Sequence, residues 1–171
     1  PIYTRTPFQL AMATATLDEV SNGRMGYLGL GLGYRSRTET YFGMKIERPL
    51  ARMREYVEII RLLLSGKDTS YQGHLFRFEG FPKLTPQPLA VPIYFGSSGP
   101  QMIGLAGQIA DGVILNSLPT PEHIHNVKEA LQEGAERAGR DPGSLTIASS
   151  VIYSVSDDLD EAITAAKEDV L

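Results

Sequence analysis

The sequence contains no cysteine, which removes disulfides, thiol nucleophiles and thiolate metal ligands and suits a reducing compartment. It has no apolar run near the roughly 18 residues that span a bilayer, and no basic-then-apolar start of the secretory type. A basic excess is also lacking. Sixteen Lys and Arg against 20 Asp and Glu leave a formal charge of −4, the wrong balance for a sequence-wide attraction to nucleic acid or an anionic membrane. A cytoplasmic protein without nucleic-acid or membrane partners is therefore expected. No Gly-x-Ser-x-Gly elbow, His-Glu-x-x-His or Walker sequence occurs, so hydrolase, zincin and P-loop chemistries have no support. An initiator Met and room for an element ahead of the first helix are missing too, and the expectation is that the chain begins inside a fold.

What is present is ordinary globular composition: 171 residues with 42% hydrophobic and 21% charged side chains, one domain or a substantial piece of one. Thr6-Pro7 reads as a cap and first helical residue, and Leu10, Ala13, Leu17 and Val20 recur at helical spacing until Ser21-Asn22-Gly23. Met25 to Leu30 predicts a short strand buried on both faces, followed by a loop over Gly33 to Glu47. Leu50, Met53, Val57, Ile60 and Leu64 form the clearest helical stripe. Asp68 to Phe81 predicts a small inserted hairpin. After a connector carrying Pro82, Pro86, Pro88 and Pro92 come a strand over Val91 to Gly96 and a helix with Met102, Leu105, Ala106 and Ile109. A strand over Val113 to Asn116, a helix with Ile124, Val127, Leu131 and Ala135, a strand over Leu145 to Val155 and a last helix from Ser156 complete the chain. Such alternation of strands and helices specifies an α/β fold with a parallel sheet, either doubly wound or closed as a barrel.

Two stretches invite a functional reading. Gly29-Leu30-Gly31-Leu32-Gly33 has the glycine density of a dinucleotide-binding turn, but a polar loop and then a helix follow where that fingerprint needs a helix and then a strand ending in an acidic residue. Glycines that allow close packing at a strand end, and leave room for a flat cofactor, fit better. Phe95 to Gln101 runs from a strand end into a helix start through Ser97, Ser98 and Gly99, so hydroxyls, free N–H groups and the positive end of a helix dipole converge. That is either an anion cradle or a plain capped turn. His123 and His125 share no helical face, His74 lies in the hairpin, and no metal site is expected. Arg35, Arg37, Lys45, Arg48, Arg52 and Arg54 make the one basic cluster, a solvated face unless it lies beside the strand ends, where it would greet an anionic tail.

Pro7 to Arg24, Leu28 to Gly31, Arg48 to Leu64, Tyr71-Gln72-Gly73, Pro92-Ile93-Tyr94 and Ala106 to Gly112 together resemble the bacterial luciferase-like monooxygenase superfamily, over nearly the whole chain. Gly99 to Met102 and Ala106 to Asn116 are most similar to its coenzyme F420-dependent branch, which includes methylenetetrahydromethanopterin reductase. The resemblance implies a (β/α)8 TIM barrel, with residues 1–171 as one partial domain that carries the end of strand four, at Pro1 to Tyr3, through strand eight and a hairpin insertion at about 68–81, expected to protrude from the barrel near its mouth. It implies an oxidoreductase moving hydride between the deazaflavin and a small organic substrate, with an FMN-dependent monooxygenase as the alternative and a noncatalytic barrel fragment as the reading from another class. It assigns the cofactor phosphate to Ser98, Gly99 and Gln101, beside Ser97, and the ribityl chain to Gly33 and Arg37. Gln9 stands where luciferases have an arginine, which weighs against an FMN-type contact. The resemblance assigns no catalytic side chain within the chain, and it implies a homodimer for the full-length protein.

Overall fold

A computed structural model describes residues 1–116 and 119–168. The first helix, α1 (Pro7–Val20), starts at a capping box in which Gln9 N–H donates to the Thr6 hydroxyl and Thr6 N–H donates to the Gln9 side chain. It stops where Asn22 and Gly23 take positive φ. Then follow β1 (Leu28–Gly31), α2 (Pro49–Leu63), the antiparallel pair β2 (Thr69–Gln72) and β3 (Arg77–Phe81), β4 (Ile93–Gly96), α3 (Pro100–Ile109), β5 (Gly112–Leu115), α4 (Pro121–Arg137), β6 (Thr146–Ser149) and α5 (Leu159–Glu168).

The sheet is parallel in the order β1-β4-β5-β6. Its register puts Leu28, Leu30, Ile93, Phe95, Val113, Leu115 and Ile147 on one face, and Gly29, Gly31, Tyr94, Gly96, Gly112, Ile114 and Ala148 on the other. The first set packs in one core with Met53, Val57, Ile60, Ile103, Ala106, Val127 and Leu131 from the helices. The second set is mostly uncovered: Gly29 and Gly96 are exposed, and the Tyr94 ring stacks on a half-exposed Tyr27 at 5.0 Å between centroids. Strands that follow one another across the sheet, with the helix layer on a single face, make the wall of a barrel rather than a doubly wound sheet.

Several expectations need correction. The strand after α1 is buried on its helix side only. On α1 the buried residues are Pro7, Ala11 and Thr14, while Leu17 and Val20 of the expected core stripe are 57% and 76% exposed; the helix lies at the edge of the layer and has a neighbour on one side. The loop after β1 contains a π-helical turn, Arg37–Tyr41. The hairpin forms but does not protrude: Phe8 of α1 packs on Phe78 and Phe81, and Tyr56 of α2 on Phe76. Ladder pairing of the last strand ends at Ser149, and Val151, Tyr153 and Val155 beyond it are 72%, 82% and 87% exposed. Pro1 to Tyr3 is not a strand, although Ile2 N–H donates to Gly31 C=O at 2.9 Å along the free edge of β1.

Backbone proximity fixes the helix layer where α3 crosses α4. A Cβ on Gly134 would run into Gly104 C=O, and one on Gly107 into Leu131 C=O, so only glycine allows this approach.

Candidate functional site

Every strand of the sheet delivers its C-terminal end to one cavity of about 530 Å3. Gly33 and Tyr34 follow β1, Ser97 and Ser98 follow β4, Asn116 follows β5 and Ser150 follows β6, and all line it. Barrel enzymes work at this end, because the strand-to-helix loops can vary there without disturbing the core. A second hollow of about 590 Å3 opens at the other end of the strands, beside Arg61, Asp111 and Arg140. Its polar groups are spent on structure. Asp111 accepts the N–H of Ile93 at 2.8 Å and pairs with Arg61 at 3.0 Å, while Arg140 donates to Gly107 C=O at 2.8 Å. Despite its greater volume, this hollow is a girdle closing the foot of the sheet.

The cavity floor is backbone. Gly29, Gly31 and Gly96 line it from the face turned away from the helices. A Cβ on Gly29 would touch only side chains, at 3.8 Å and 3.9 Å, and one on Gly96 only Leu30 C=O at 3.8 Å, all ordinary contacts at unstrained φ. The contrast with Gly112 is sharp. That glycine lies against Thr146 C=O with no room for a methyl group. Gly33 is structural too, at φ +79° with Thr38 Oγ1 3.0 Å from where its Cβ would be.

On the rim, Gly99 is the extended N-cap of α3 with no side-chain cap, and its N–H donates to Ser97 Oγ at 3.3 Å. Pro100 has no N–H, and Gln101 N–H lies in the first turn, where no carbonyl stands one turn back. Nothing lies within 4 Å of an added Cβ at Gly99, so the helix start is open. Of the expected site residues, Ser97, Ser98 and Gly33 share the cavity wall. Gly99 and Gln101 stand just behind it at the helix start. Arg37 is not in the wall: its guanidinium lies over the Tyr34 ring, 5.4 Å from the centroid. Arg35 pairs with Glu39 and Arg54 with Gln108, so the basic cluster is partly spent.

Sequence reasoning did not single out Tyr34, Asn116 or Ser150 as site residues. The usable signal was positional, since Tyr34 comes just after the Gly-rich strand end, and Asn116 and Ser150 directly follow a strand. No acid, histidine, lysine or arginine is among the described residues lining the cavity. Among the described residues the wall presents hydroxyls, an amide, a phenol and backbone groups. No group of three or more candidate metal ligands occurs among the described residues.

The luciferase-like monooxygenase family profile matches residues 1–171. The chain belongs to that family. It is 39% identical over 165 residues to a 5,10-methylenetetrahydromethanopterin reductase of Archaeoglobus fulgidus, covering 96% of this chain and 48% of the relative. Among solved structures, a coenzyme F420-dependent tetrahydromethanopterin reductase from Methanopyrus kandleri superposes with a TM-score of 0.85 at 30% identity, over 99% of this chain and 52% of that one. An F420-dependent secondary alcohol dehydrogenase, solved with an F420–acetone adduct, gives 0.80 at 30% identity over 96% and 51%. The chain thus spans about half the length of the relatives it matches. Its fold is the corresponding half of a luciferase-like TIM barrel.

Proposed function

We propose that this chain is strands five to eight of a (β/α)8 oxidoreductase that transfers hydride between coenzyme F420 and a small organic substrate. The observation that carries the reading is one cavity at the strand C-termini, floored by glycines of which Gly29 and Gly96 are left free by the fold to bear a Cβ, and rimmed by Ser97, Ser98 and the open start of α3, in a chain with relatives named as F420-dependent. Those features suit the cofactor: a Cβ-free floor for a flat ring, and an N-terminal helix turn with hydroxyls for a phosphate. Ser97, Ser98, Gly99 and Gln101 would hold the phosphate, and Gly33 would border the linking chain. When bound, the deazaflavin supplies the hydride chemistry, and this chain's residues bind, orient and exclude water.

In the same reading the full-length enzyme is a cytoplasmic homodimer. The absence of cysteine suits that compartment, no helix among the described residues is long and apolar enough to cross a membrane, and the uncovered Leu17 and Val20 on α1 are apolar surface available for burial. Spectral titration of the full-length protein with F420 and, separately, with FMN tests the proposal. A shift with F420 at lower concentration than with FMN is expected; a response to FMN alone would replace it with the monooxygenase alternative.

A further inference from the structure

Tyr34 is the one aromatic side chain among the described residues lining the mouth cavity. The rest of that wall is glycine, aliphatic, hydroxyl or amide, so only Tyr34 presents a π-face to a bound ligand. Its side chain is 64% exposed, an exposure that ordinarily goes with a loose side chain, yet its surroundings are fixed. Thr38, 2% exposed, donates its N–H to Tyr34 C=O at 2.9 Å, and Thr38 C=O accepts from Met44 N–H at 3.1 Å. Thr38 also belongs to the π-helical turn Arg37–Tyr41 that follows, a geometry found often at functional sites. The Arg37 guanidinium lies over one side of the ring. The backbone beneath Tyr34 is thus fixed and its ring has a cation on one side, so a ligand that stacks on the ring meets a partly ordered partner.

We propose that Tyr34 is a binding residue that stacks against the planar ring system of the cofactor, and that Arg37 is a positioning residue acting through Tyr34. The proposal rests on the F420 reading above. Aromatic rings prefer offset-stacked or edge-to-face contact, and a cation over one face holds the ring by attraction to its quadrupole. Arg37 thereby changes role, from a direct contact along the ribityl chain to the outer support of the aromatic wall.

The test is titration of the full-length protein with F420, followed by the cofactor's own absorbance and fluorescence, with a thermal melt of every variant. Tyr34→Ala is expected to raise Kd about tenfold at unchanged Tm, and Tyr34→Phe to bind as the parent does. Arg37→Ala should raise Kd about threefold, Arg37→Lys should recover part of that, and Arg37→Ala should add nothing to Tyr34→Ala. If the parent binds F420 and Tyr34→Ala binds equally well, the stacking assignment is wrong. A fall in Tm parallel to the loss of affinity also overturns it, since the ring would then serve the fold. Additive losses for the two alanine variants would show that Arg37 touches the ligand itself and would overturn the positioning role. A parent that binds neither F420 nor FMN removes the F420 reading and this assignment with it.

Discussion

The carboxylate of Glu55, two turns into α2, accepts the backbone N–H of Phe76 in the β2–β3 turn at 2.9 Å. The same carboxylate accepts His74 N–H at 2.8 Å and Leu75 N–H at 3.1 Å, and its residue is 5% exposed. Three consecutive amides converge on one buried anion, and Gly73 leaves the room for it, since a Cβ there would press into the carboxylate. The hairpin is therefore fastened to the helix layer rather than free to swing. Removing the acceptor leaves buried donors unpaired, which costs more than the net worth of the bonds. Glu55→Ala is expected to lower stability by about 3 kcal/mol and Glu55→Gln by about 1–3 kcal/mol. Urea unfolding measures both, and hydrogen exchange at His74 to Phe76 should accelerate more than exchange in β4. Equal stability of parent and Glu55→Ala would show that water replaces the carboxylate.

Alkaline pH probes the same region. Burial raises the pKa of the Tyr3 and Tyr56 phenols, and that of Tyr71 rises through burial first, then its hydrogen bond to Glu58 at 2.6 Å and the charges of Glu58 and Glu55. These phenols stay protonated in the folded chain at pH values where the unfolded chain ionises. The unfolded state then binds fewer protons, so the stability they contribute is complete below about pH 10 and is lost as pH rises through the folded values. Tyr71→Phe should be less stable than the parent at neutral pH, by about 0.5–1.5 kcal/mol for the lost hydrogen bond. The gap should close as melts are repeated up to about pH 11. A gap that stays constant would place the ionisation of Tyr71 at its unfolded value.

Much of this architecture was legible because periodicity reports burial. The stripe Met53, Val57, Ile60 and Leu64 faces the core as its spacing requires, and Val127, Leu131 and Ala135 do the same on α4. The α1 stripe misled for a physical reason: Leu17 and Val20 are apolar, but the helix buries its Pro7, Ala11 and Thr14 side, and a 3.6-residue period does not say which partner covers a face. The apolar and β-branched run to Val155 suggested a longer strand, yet ladder pairing stops at Ser149, and Val151, Tyr153 and Val155 are exposed. The strand-to-helix junction at Ser97 and Ser98 was readable because a strand running into a helix start is a local event. Tyr34, Asn116 and Ser150 also follow strands in the sequence, but that these strand ends meet Ser97 and Ser98 at one cavity is set by strand order, which no local pattern encodes.

Two glycines of the same sheet should respond in opposite ways to one methyl group. Gly112→Ala forces a Cβ into Thr146 C=O in the neighbouring strand and is expected to cost roughly 1–3 kcal/mol as the ladder shifts. Gly29→Ala meets only ordinary contacts and removes the entropy penalty of glycine in a strand, so Tm should hold or rise. The added methyl enters the mouth cavity, and F420 affinity of the full-length protein should fall about fivefold or more. Thermal melts and titrations on both variants separate the two effects; a Gly29→Ala protein that binds F420 as tightly as the parent would mean that the ligand does not reach this floor.

Ser98 tests the anion cradle directly. If Ser98, Gly99 and Gln101 hold the cofactor phosphate at the open start of α3, Ser98→Asp places a carboxylate beside it. Losing one hydrogen bond to a charged group costs about 1.5–3 kcal/mol, the expected effect of Ser98→Ala, and like-charge repulsion adds to that loss in the Asp variant. The exposed position of Ser98 means that neither substitution threatens the core. An acidic side chain near a helix N-terminus is itself stabilising by about 0.3–1 kcal/mol, so Ser98→Asp should melt no lower than the parent. The dephosphorylated cofactor is the control: without the phosphate the repulsion has no second partner, and Ser98→Asp should bind it nearly as well as the parent does. Titrations of the full-length protein that show equal weakening for both cofactor forms would reduce the cradle to a capped turn.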